Sequence, residues 1–235
     1  MKFTVDQKLF SLLPQACFGV VVVKGVDNSQ PQPAIEKMLT QSIERAEEYF
    51  EGKKIKEAAE IVPYREAFKA LHINPNKFLC SIEALLSRVA KKKGLPFINP
   101  LVDLGNAVSV KYHIPLGAHD LGSMQGDITI RPAVAGDTFL PFGSMESEEP
   151  DAGEMVYVSG NEVRTRRWTW RQSEQGKITA QTTSVFFPLD GFVGINDSQV
   201  LCARDELAEH LQTFFGCEVA TGYVDAHTPE YLITL

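Results

Sequence analysis

The strongest constraint on the fold is a short apolar run near the start of the chain, from Phe18 to Val23. Neighbouring side chains of a strand point to opposite faces of its sheet, so a strand that is apolar throughout needs cover on both faces. Lys24 and Gly25 end the run after far fewer than the ~20 apolar residues that a membrane helix requires. The run therefore predicts a strand buried on both sides, and the sequence predicts no contact with a membrane.

Beyond about residue 110 the rest of the chain changes from mainly helical patterns to mainly strand patterns. A short helix opens the chain, and further helical patterns cover 34–50, 61–70, a segment capped by Ser81 and ended by Gly94, 99–110 and 199–215. Strand patterns cover 127–132, 155–159, 163–172, 178–188 and 217–224, with a solvated acidic loop at 146–154 and another loop at 190–197. Because strands and helices do not alternate regularly, we predict an α+β fold, a mixed and sheet-rich core with flanking helices, in a single domain over 1–235.

Charge and cysteine content narrow the class of protein. With 23 basic and 30 acidic residues the net charge is −7, which argues against a surface coated in basic charge but allows a local patch. The four cysteines lie far apart and form no metal-binding pair, which favours a reduced, cytoplasmic protein. The sequence contains no P-loop, dinucleotide-binding, nucleophile-elbow or zinc-peptidase motif, so we predict no metal and no cofactor.

Basic residues are clustered at places where they could contact RNA. One group, Arg88 with Lys91, Lys92 and Lys93, ends the helix that begins at Ser81, and complementing the helix dipole is its alternative explanation. A second group lies in 164–172, where strand alternation would place an arginine and tryptophan face outward as a stacking platform for bases. That face would consist of Arg164, Arg166, Trp168, Trp170 and Gln172. The opposite interpretation buries the tryptophans under arginine stems.

Two neighbouring segments have the residues of a polar pocket. On the helix over 99–110, Asn106 and Ser109 share a face and Asp103 lies close by, so they either line a pocket or bond within the protein. The loop that follows contains Pro115, Gly117 and the pair His119–Asp120. Proline fixes the backbone and glycine lets it approach a ligand closely, although an ordinary turn would have the same composition.

These segments together resemble a known domain. The resemblance rests on SIEALL (81–86), LPFINPLVD (95–103), Asn106, Pro115 and AHDL (118–121), and it continues through 126–131 and more loosely 178–187. In type, order and spacing these residues are similar to the B3/B4 domain of the bacterial phenylalanyl-tRNA synthetase β subunit. The resemblance covers roughly 60–190, and the chain is identified as a freestanding version of that domain.

The resemblance implies both a fold and an activity. In the synthetase this sheet-rich domain hosts the editing site, which hydrolyses the ester joining a wrong amino acid, typically tyrosine, to the 3′ end of tRNA. Asn106 coincides with an asparagine of the family's pocket wall, and Pro115 and Asp120 keep their places. Gly117 stands where the editing loop has a histidine, and His119 stands where the family usually has an aromatic residue. The segment Trp170–Arg171–Gln172 replaces a glycine-rich strand turn.

We therefore expect a trans-acting aminoacyl-tRNA quality-control factor that hydrolyses or binds mischarged aminoacyl-tRNA, with tRNA or its aminoacylated 3′ end as the partner. His119 would orient water and Asn106 would bind the substrate amine or carbonyl. The expected substrate-binding residues are Arg65, Asp103, Ser109, Pro115, Gly117, Asp120, Trp170, Arg171 and Gln172, and the expected RNA-binding residues are Arg88, Lys91, Lys92, Lys93, Arg164 and Arg166. Two alternatives stay open, namely a non-catalytic module for an amino-acid-like ligand or tRNA, and an enzyme acting on a small acidic metabolite.

Overall fold

A computed structural model describes residues 1–234 of the chain and shows two β-sheets with helices packed around them. The helices are α1 (Gln7–Leu12), α2 (Pro33–Tyr49), α3 (Val62–Ala70), α4 (Ser81–Val89), α5 (Pro100–Tyr112) and α6 (Asp197–Phe215). The strands are β1 (Lys2–Val5), β2 (Ala16–Lys24), β3 (His119–Asp120), β4 (Ile128–Pro132), β5 (Met155–Ser159), β6 (Glu162–Arg166), β7 (Arg171–Gln172), β8 (Ser184–Phe192), β9 (Glu218–Val224) and β10 (Glu230–Leu232). The α+β class predicted from the sequence is confirmed.

The apolar run of the sequence forms β2, which lies inside a four-stranded sheet of order β3-β8-β2-β9. Both neighbours of β2 are antiparallel to it. Val21 and Val23 belong to an apolar cluster with residues of α5 and α6, whereas Phe18, Val20 and Val22 belong to a second cluster with residues of the other sheet. The two faces of β2 are thus covered by different layers, as the uniform apolarity of its sequence predicts.

The second sheet has six strands in the order β10-β1-β4-β5-β6-β7. β1 pairs in parallel with β4, and the other neighbouring strands pair antiparallel. The sequence analysis missed β1, because its alternation spans four residues of which Phe3 and Val5 are buried. Among residues 1–234, no helix has both the length and the apolar content needed to cross a membrane.

The helices predicted after the first strand are confirmed to within a few residues, with two changes in α4. It ends at Val89 rather than at Gly94, so Lys91, Lys92 and Lys93 follow the helix. Ser81 is the first residue of α4, and Cys80 holds the preceding cap position without a side-chain bond to the helix. Asn99 caps α5, because its side-chain oxygen accepts from the backbone N–H of Val102 at 3.1 Å. This cap fixes the start of α5, the helix that carries Asn106.

Two strand predictions are wrong. The strand predicted over 163–172 is interrupted at Arg167 and Trp168, whose φ angles of 48° and 61° lie in the left-handed region. A strand cannot continue through such residues, so β6 ends at Arg166 and β7 is a separate short strand. The strand predicted over 178–188 begins later and continues further, as β8, and it includes Asp190 in place of the predicted loop.

The acidic loop at 146–154 is mostly exposed, as predicted, but three of its acids pair with the arginines at the end of β6 and just after it. Arg166 donates to Glu154 from Nη2 and to Glu148 from Nη1, both at 2.7 Å. Arg167 bonds to Asp151 at 2.7 Å and lies 3.3 Å from Glu154. The Glu154 side chain is only 3% exposed, so its carboxylate compensates two largely buried guanidinium groups.

Replacing this carboxylate should destabilise the fold. Glu154→Ala leaves Arg166 and Arg167 without their buried counter-charge, and we expect the free energy of unfolding to fall by about 3 kcal/mol or more. Urea titration measures the change. Glu149→Ala, in an exposed part of the same loop, is the matched control and should change stability by less than about 0.5 kcal/mol. Equal losses in both variants would show that the ion pairs contribute little.

Candidate functional site

Two adjoining cavities lie beside the end of β6, the loop before β3 and the first turn of α4. The first, here called the polar cavity, has a volume of about 80 Å³, and His119, Tyr157, Thr169, Arg171 and Asp190 are among its lining residues. The second, the apolar cavity, has a volume of about 370 Å³. It is lined by Leu85, Ile98, Val102, Gly105, Asn106, Leu116, Ala118, Phe142, Gln172, Lys177 and Ile178. Leu116 and Gln172 line both, so the two cavities share a wall.

The loop before β3 reaches the cavities because it pairs with β8. The Gly117 N–H donates to the Pro188 carbonyl at 2.9 Å, and the Asp190 N–H donates to the Pro115 carbonyl at 3.1 Å. Leu116 faces Leu189 in the resulting bridge. The loop is therefore held as a continuation of the sheet edge.

His119 is a buried and neutral member of the polar cavity. Its side chain is 1% exposed, and its ring lies 5.8 Å from that of Tyr157 and 6.2 Å from that of Phe186, centroid to centroid. Burial, with a smaller effect from the Arg164 charge, lowers the pKa of His119 to about 3. Its Nδ1 atom has no hydrogen-bond partner among the described residues. At neutral pH the imidazole can hold a water molecule but cannot supply a proton as a cation.

Gly117 makes room for this ring. A Cβ atom at position 117 would lie 3.2 Å from Nε2 of His119 and 3.2 Å from Cγ of Pro188. Both distances are tighter than ordinary carbon contacts, so a side chain at 117 would press on the imidazole. A side chain at 117 and the imidazole of His119 would thus compete for one space.

Asp190 is the functional candidate that the sequence analysis missed. Its side chain is buried, and Oδ1 accepts hydrogen bonds from the Tyr157 hydroxyl and from Nε1 of Trp168, each at 2.7 Å. Burial raises the pKa of Asp190 to about 7, although both donors favour the ionised form. In the sequence Asp190 is a single aspartate after an apolar run, and the predicted loop at 190–197 accounts for it without any functional role.

Other groups complete the polar cavity. The Thr169 hydroxyl is buried and has no hydrogen-bond partner among the described residues. Arg171 is exposed where the cavity meets the surface, beside the half-buried Trp170 ring at 5.9 Å. Gln172 donates to the carbonyls of Ala118 and Gly176, which fixes its side chain in the shared wall. The cavity therefore offers a carboxylate, a free hydroxyl and a cation.

The structure brings together some of the predicted site residues. Asn106 lines the apolar cavity, and Gln172 lies between the cavities. Pro115, Gly117, His119, Trp170 and Arg171 line the polar cavity. Asn106, His119 and Trp170 thus line adjoining cavities rather than one pocket.

Four predicted binding residues have structural partners instead. Arg65 bonds to Glu83 at 2.6 Å and to the Pro75 carbonyl, and it lines neither cavity. Ser109 donates to the Ile114 carbonyl at 2.6 Å. Asp103 accepts from the Ile98 N–H at 2.9 Å, and Asp120 accepts from the Gly122 N–H and from Thr182. These side chains are engaged in hydrogen bonds within the protein, so we do not assign ligand binding to them.

Arg164 and Arg166 do not face outward as the strand pattern suggested. Arg164 is fully buried and donates to Glu162, Ser123 and the Gln175 carbonyl. Arg166 is paired with the acidic loop described above. Trp168 is also buried, because the left-handed turn directs it to Asp190. The predicted stacking face of five residues is therefore wrong: of its two tryptophans, Trp168 is buried and Trp170 half-buried.

The two sheets and the paired cavities describe an α+β domain, and comparison with known proteins gives its family. The chain belongs to the B3/4 domain family, whose model matches residues 63–213. It is similar in structure to an N-terminal fragment of the phenylalanyl-tRNA synthetase β-subunit from Pyrococcus horikoshii, with a TM-score of 0.51 and 12% sequence identity. The similarity covers 92% of this chain and 49% of the fragment, so the chain spans about half of that fragment's length. No curated protein gives a significant match.

The neutral buried histidine should leave a signature in the pH dependence of stability. The pKa of His119 is lowered in the folded protein, so between about pH 6.5 and 3 the unfolded chain binds a proton that the folded chain does not. Stability from this group is therefore lost as the pH falls through that range. The pKa of Asp190 is raised, so between about pH 4 and 7 the folded chain binds a proton that the unfolded chain does not. Stability from this group therefore increases as the pH falls.

We expect His119→Phe to remove the loss of stability at acid pH and to leave the effect of Asp190 on stability unchanged. Relative to the wild type, the variant should gain about 1 kcal/mol per pH unit as the pH falls from 6.5 to 4. Urea titrations at several pH values measure this difference, with His227→Gln in an exposed loop as the control. Parallel stability curves for wild type and His119→Phe would contradict the assignment.

Proposed function

We propose that this chain binds the aminoacylated 3′ end of tRNA and hydrolyses the ester of a mischarged amino acid, acting in trans as a quality-control factor. Membership of the B3/4 domain family supports a role connected with tRNA. The observation that carries the proposal is the shared wall of the two cavities, formed by Leu116 and Gln172. It places an apolar compartment next to a polar one, as an amino-acid ester requires.

The division of the two cavities matches the two parts of such a ligand. The amino-acid side chain enters the apolar cavity, where the lining is mainly aliphatic and aromatic. Asn106 in that wall binds the amine or carbonyl of the substrate. The ester carbonyl lies at the shared wall, within reach of the groups of the polar cavity. A pocket of about 370 Å³ suits the apolar side chain of one amino acid better than a larger metabolite.

The polar cavity supplies the groups that ester hydrolysis needs. A water oxygen attacks the ester carbonyl carbon while the ionised Asp190 carboxylate takes the water proton. The Thr169 hydroxyl, which has no partner among residues 1–234, donates to the oxygen that gains negative charge. The bond from carbon to the ribose oxygen then breaks, and that oxygen takes the proton back from Asp190. The products are the free amino acid and a tRNA with a free ribose hydroxyl.

This assignment changes the role of His119. A histidine with a pKa of about 3 is a weak base, so it serves as a positioning residue for the attacking water. Asp190, with a pKa of about 7, is better matched to general base catalysis near neutral pH. The stacked Tyr157 ring, whose hydroxyl bonds to Asp190, lies between the two groups.

A non-catalytic module is the second candidate, and one observation favours it. The polar cavity measures only about 80 Å³, which leaves little space for water beside an ester. A binding module would hold the amino acid and the tRNA end without cleaving the bond between them. The two candidates agree on the ligand and differ in turnover.

Deacylation assays on a panel of aminoacyl-tRNAs, each correctly or wrongly charged, test the proposal. We expect accelerated loss of the amino acid from a subset with apolar or aromatic side chains. Binding without cleavage would support the module. Failure to bind any tRNA at low salt would exclude both candidates and favour an enzyme acting on a small acidic metabolite.

Asp190→Asn separates catalysis from structure. The asparagine oxygen can still accept from Tyr157 and Trp168, so the fold should be retained, but the amide cannot take a proton from water. We expect deacylation to slow by about 10²-fold or more, with tRNA affinity unchanged. In the wild type the rate should rise with pH through about 7, and in the variant this rise should disappear. A variant as fast as the wild type would remove Asp190 from the mechanism.

A further inference from the structure

Part of the wall of the apolar cavity comes from a stretch of chain whose charged residues are all positive. Between Glu83 and Asp103 there are 19 residues with four cations and no acid, in a chain whose net charge is −7. The cations are Arg88, Lys91, Lys92 and Lys93, and all four are exposed. None of them forms an ion pair with a carboxylate among the described residues, in contrast to Arg164, Arg166 and Arg167. Their charge is therefore available to an external anion.

Helix α4 connects this charge to the cavities. Ser81 lines the polar cavity and Leu85 lines the apolar cavity. Ser81, Leu85 and Arg88 are spaced at i, i+4 and i+7, so they lie along one face of the helix. At 1.5 Å per residue, Arg88 stands about 10 Å beyond Ser81 along the helix axis. The face that forms the cavity walls thus leads directly to the basic end of α4.

Exposed aromatic side chains lie in the wall of the apolar cavity and next to it in sequence. After the lysines the chain returns to the cavity, which Ile98 lines. Phe97 is 53% exposed, and Phe142, which also lines the cavity, is 48% exposed. Exposed aromatic side chains together with cations that have no ion-pair partner are the combination that binds single-stranded nucleic acid, by stacking on bases and pairing with phosphates.

We propose that the outer face of α4 and the basic turn after it form the track on which the single-stranded 3′ end of the tRNA lies. Arg88 and the three lysines pair with its phosphates, and Phe97 and Phe142 stack on unpaired bases near the apolar cavity. The inference rests on the proposed function for the nature of the ligand. The other explanation of the lysines is that they complement the dipole of α4. It predicts that removing them changes stability but not RNA binding.

The salt dependence of RNA binding tests the track. The variant K91Q/K92Q/K93Q and the matched variant K8Q/K24Q/K37Q each remove three exposed lysines. Fluorescence anisotropy with uncharged tRNA and with a short RNA of its 3′ end, at 50 to 300 mM KCl, gives the slope of log affinity against log salt. For the first variant we expect a slope lower by about 2, from ~0.7 per lost contact on a single strand. For the matched variant we expect the wild-type slope.

The aromatic part of the track has a separate test. Phe97→Ser should weaken binding of the short RNA by roughly fivefold or more, without changing the salt slope, because stacking involves no counterion. The position is exposed, so the variant should fold. Circular dichroism and urea titration of each variant check this.

The outcomes separate the track from the proposed function. If the wild type binds RNA and both lysine variants keep its slope, the track is overturned while the proposed function stands. If the wild type binds no RNA, both fail. If binding depends on the α4 lysines but no ester is cleaved, the track stands and the hydrolytic step fails.

Discussion

A buried carboxylate joins the two sheets and at the same time forms one end of the polar cavity. Asp190 lies on β8 of the four-stranded sheet, and its main donor, Tyr157, lies on β5 of the six-stranded sheet. Trp168 donates to the same oxygen from the turn after β6, and Tyr64 of α3 donates to the Asp190 backbone carbonyl at 2.9 Å. Four segments distant in sequence therefore meet at one residue. Because an unpaired group here would be costly, the geometry of the cavity and the docking of the sheets depend on each other.

The cations of the chain include a group that is paired with acids and a group that is not, and composition alone does not show this difference. The arginines near β6 are neutralised by acids of their own region, namely Glu148, Asp151, Glu154 and Glu162. These pairs stabilise the left-handed turn that places Trp168 under the cavity. The cations at the end of α4 and just after it have no such partners among residues 1–234, so a chain of net charge −7 still has a basic surface that follows a helix of the cavity walls.

The parts of the structure that local patterns determine could be predicted from the sequence. The burial of β2 on both faces, α2 to α6 and the position of Asn106 near the loop with His119 all follow from periodicity, caps and spacing. The interruption at Arg167 and Trp168 could not be predicted, because bulky residues adopt left-handed angles only when tertiary contacts hold them there. Arg65 was misassigned for a related reason, since its partner Glu83 lies on another helix. Asp190 was missed because its importance comes from donors on β5 and in the turn after β6, which no local pattern reveals.

The close approach of Gly117 to His119 has a consequence for how such a site changes in evolution. The imidazole of His119 and the ring of Pro188 lie so close to position 117 that a Cβ atom there would be 3.2 Å from each of them. Restoring a side chain at 117 without reducing the one at 119 would crowd the loop against β8. We therefore expect a large side chain at 117 to occur with a small one at 119, and the reverse. A histidine at either position would then reach the polar cavity.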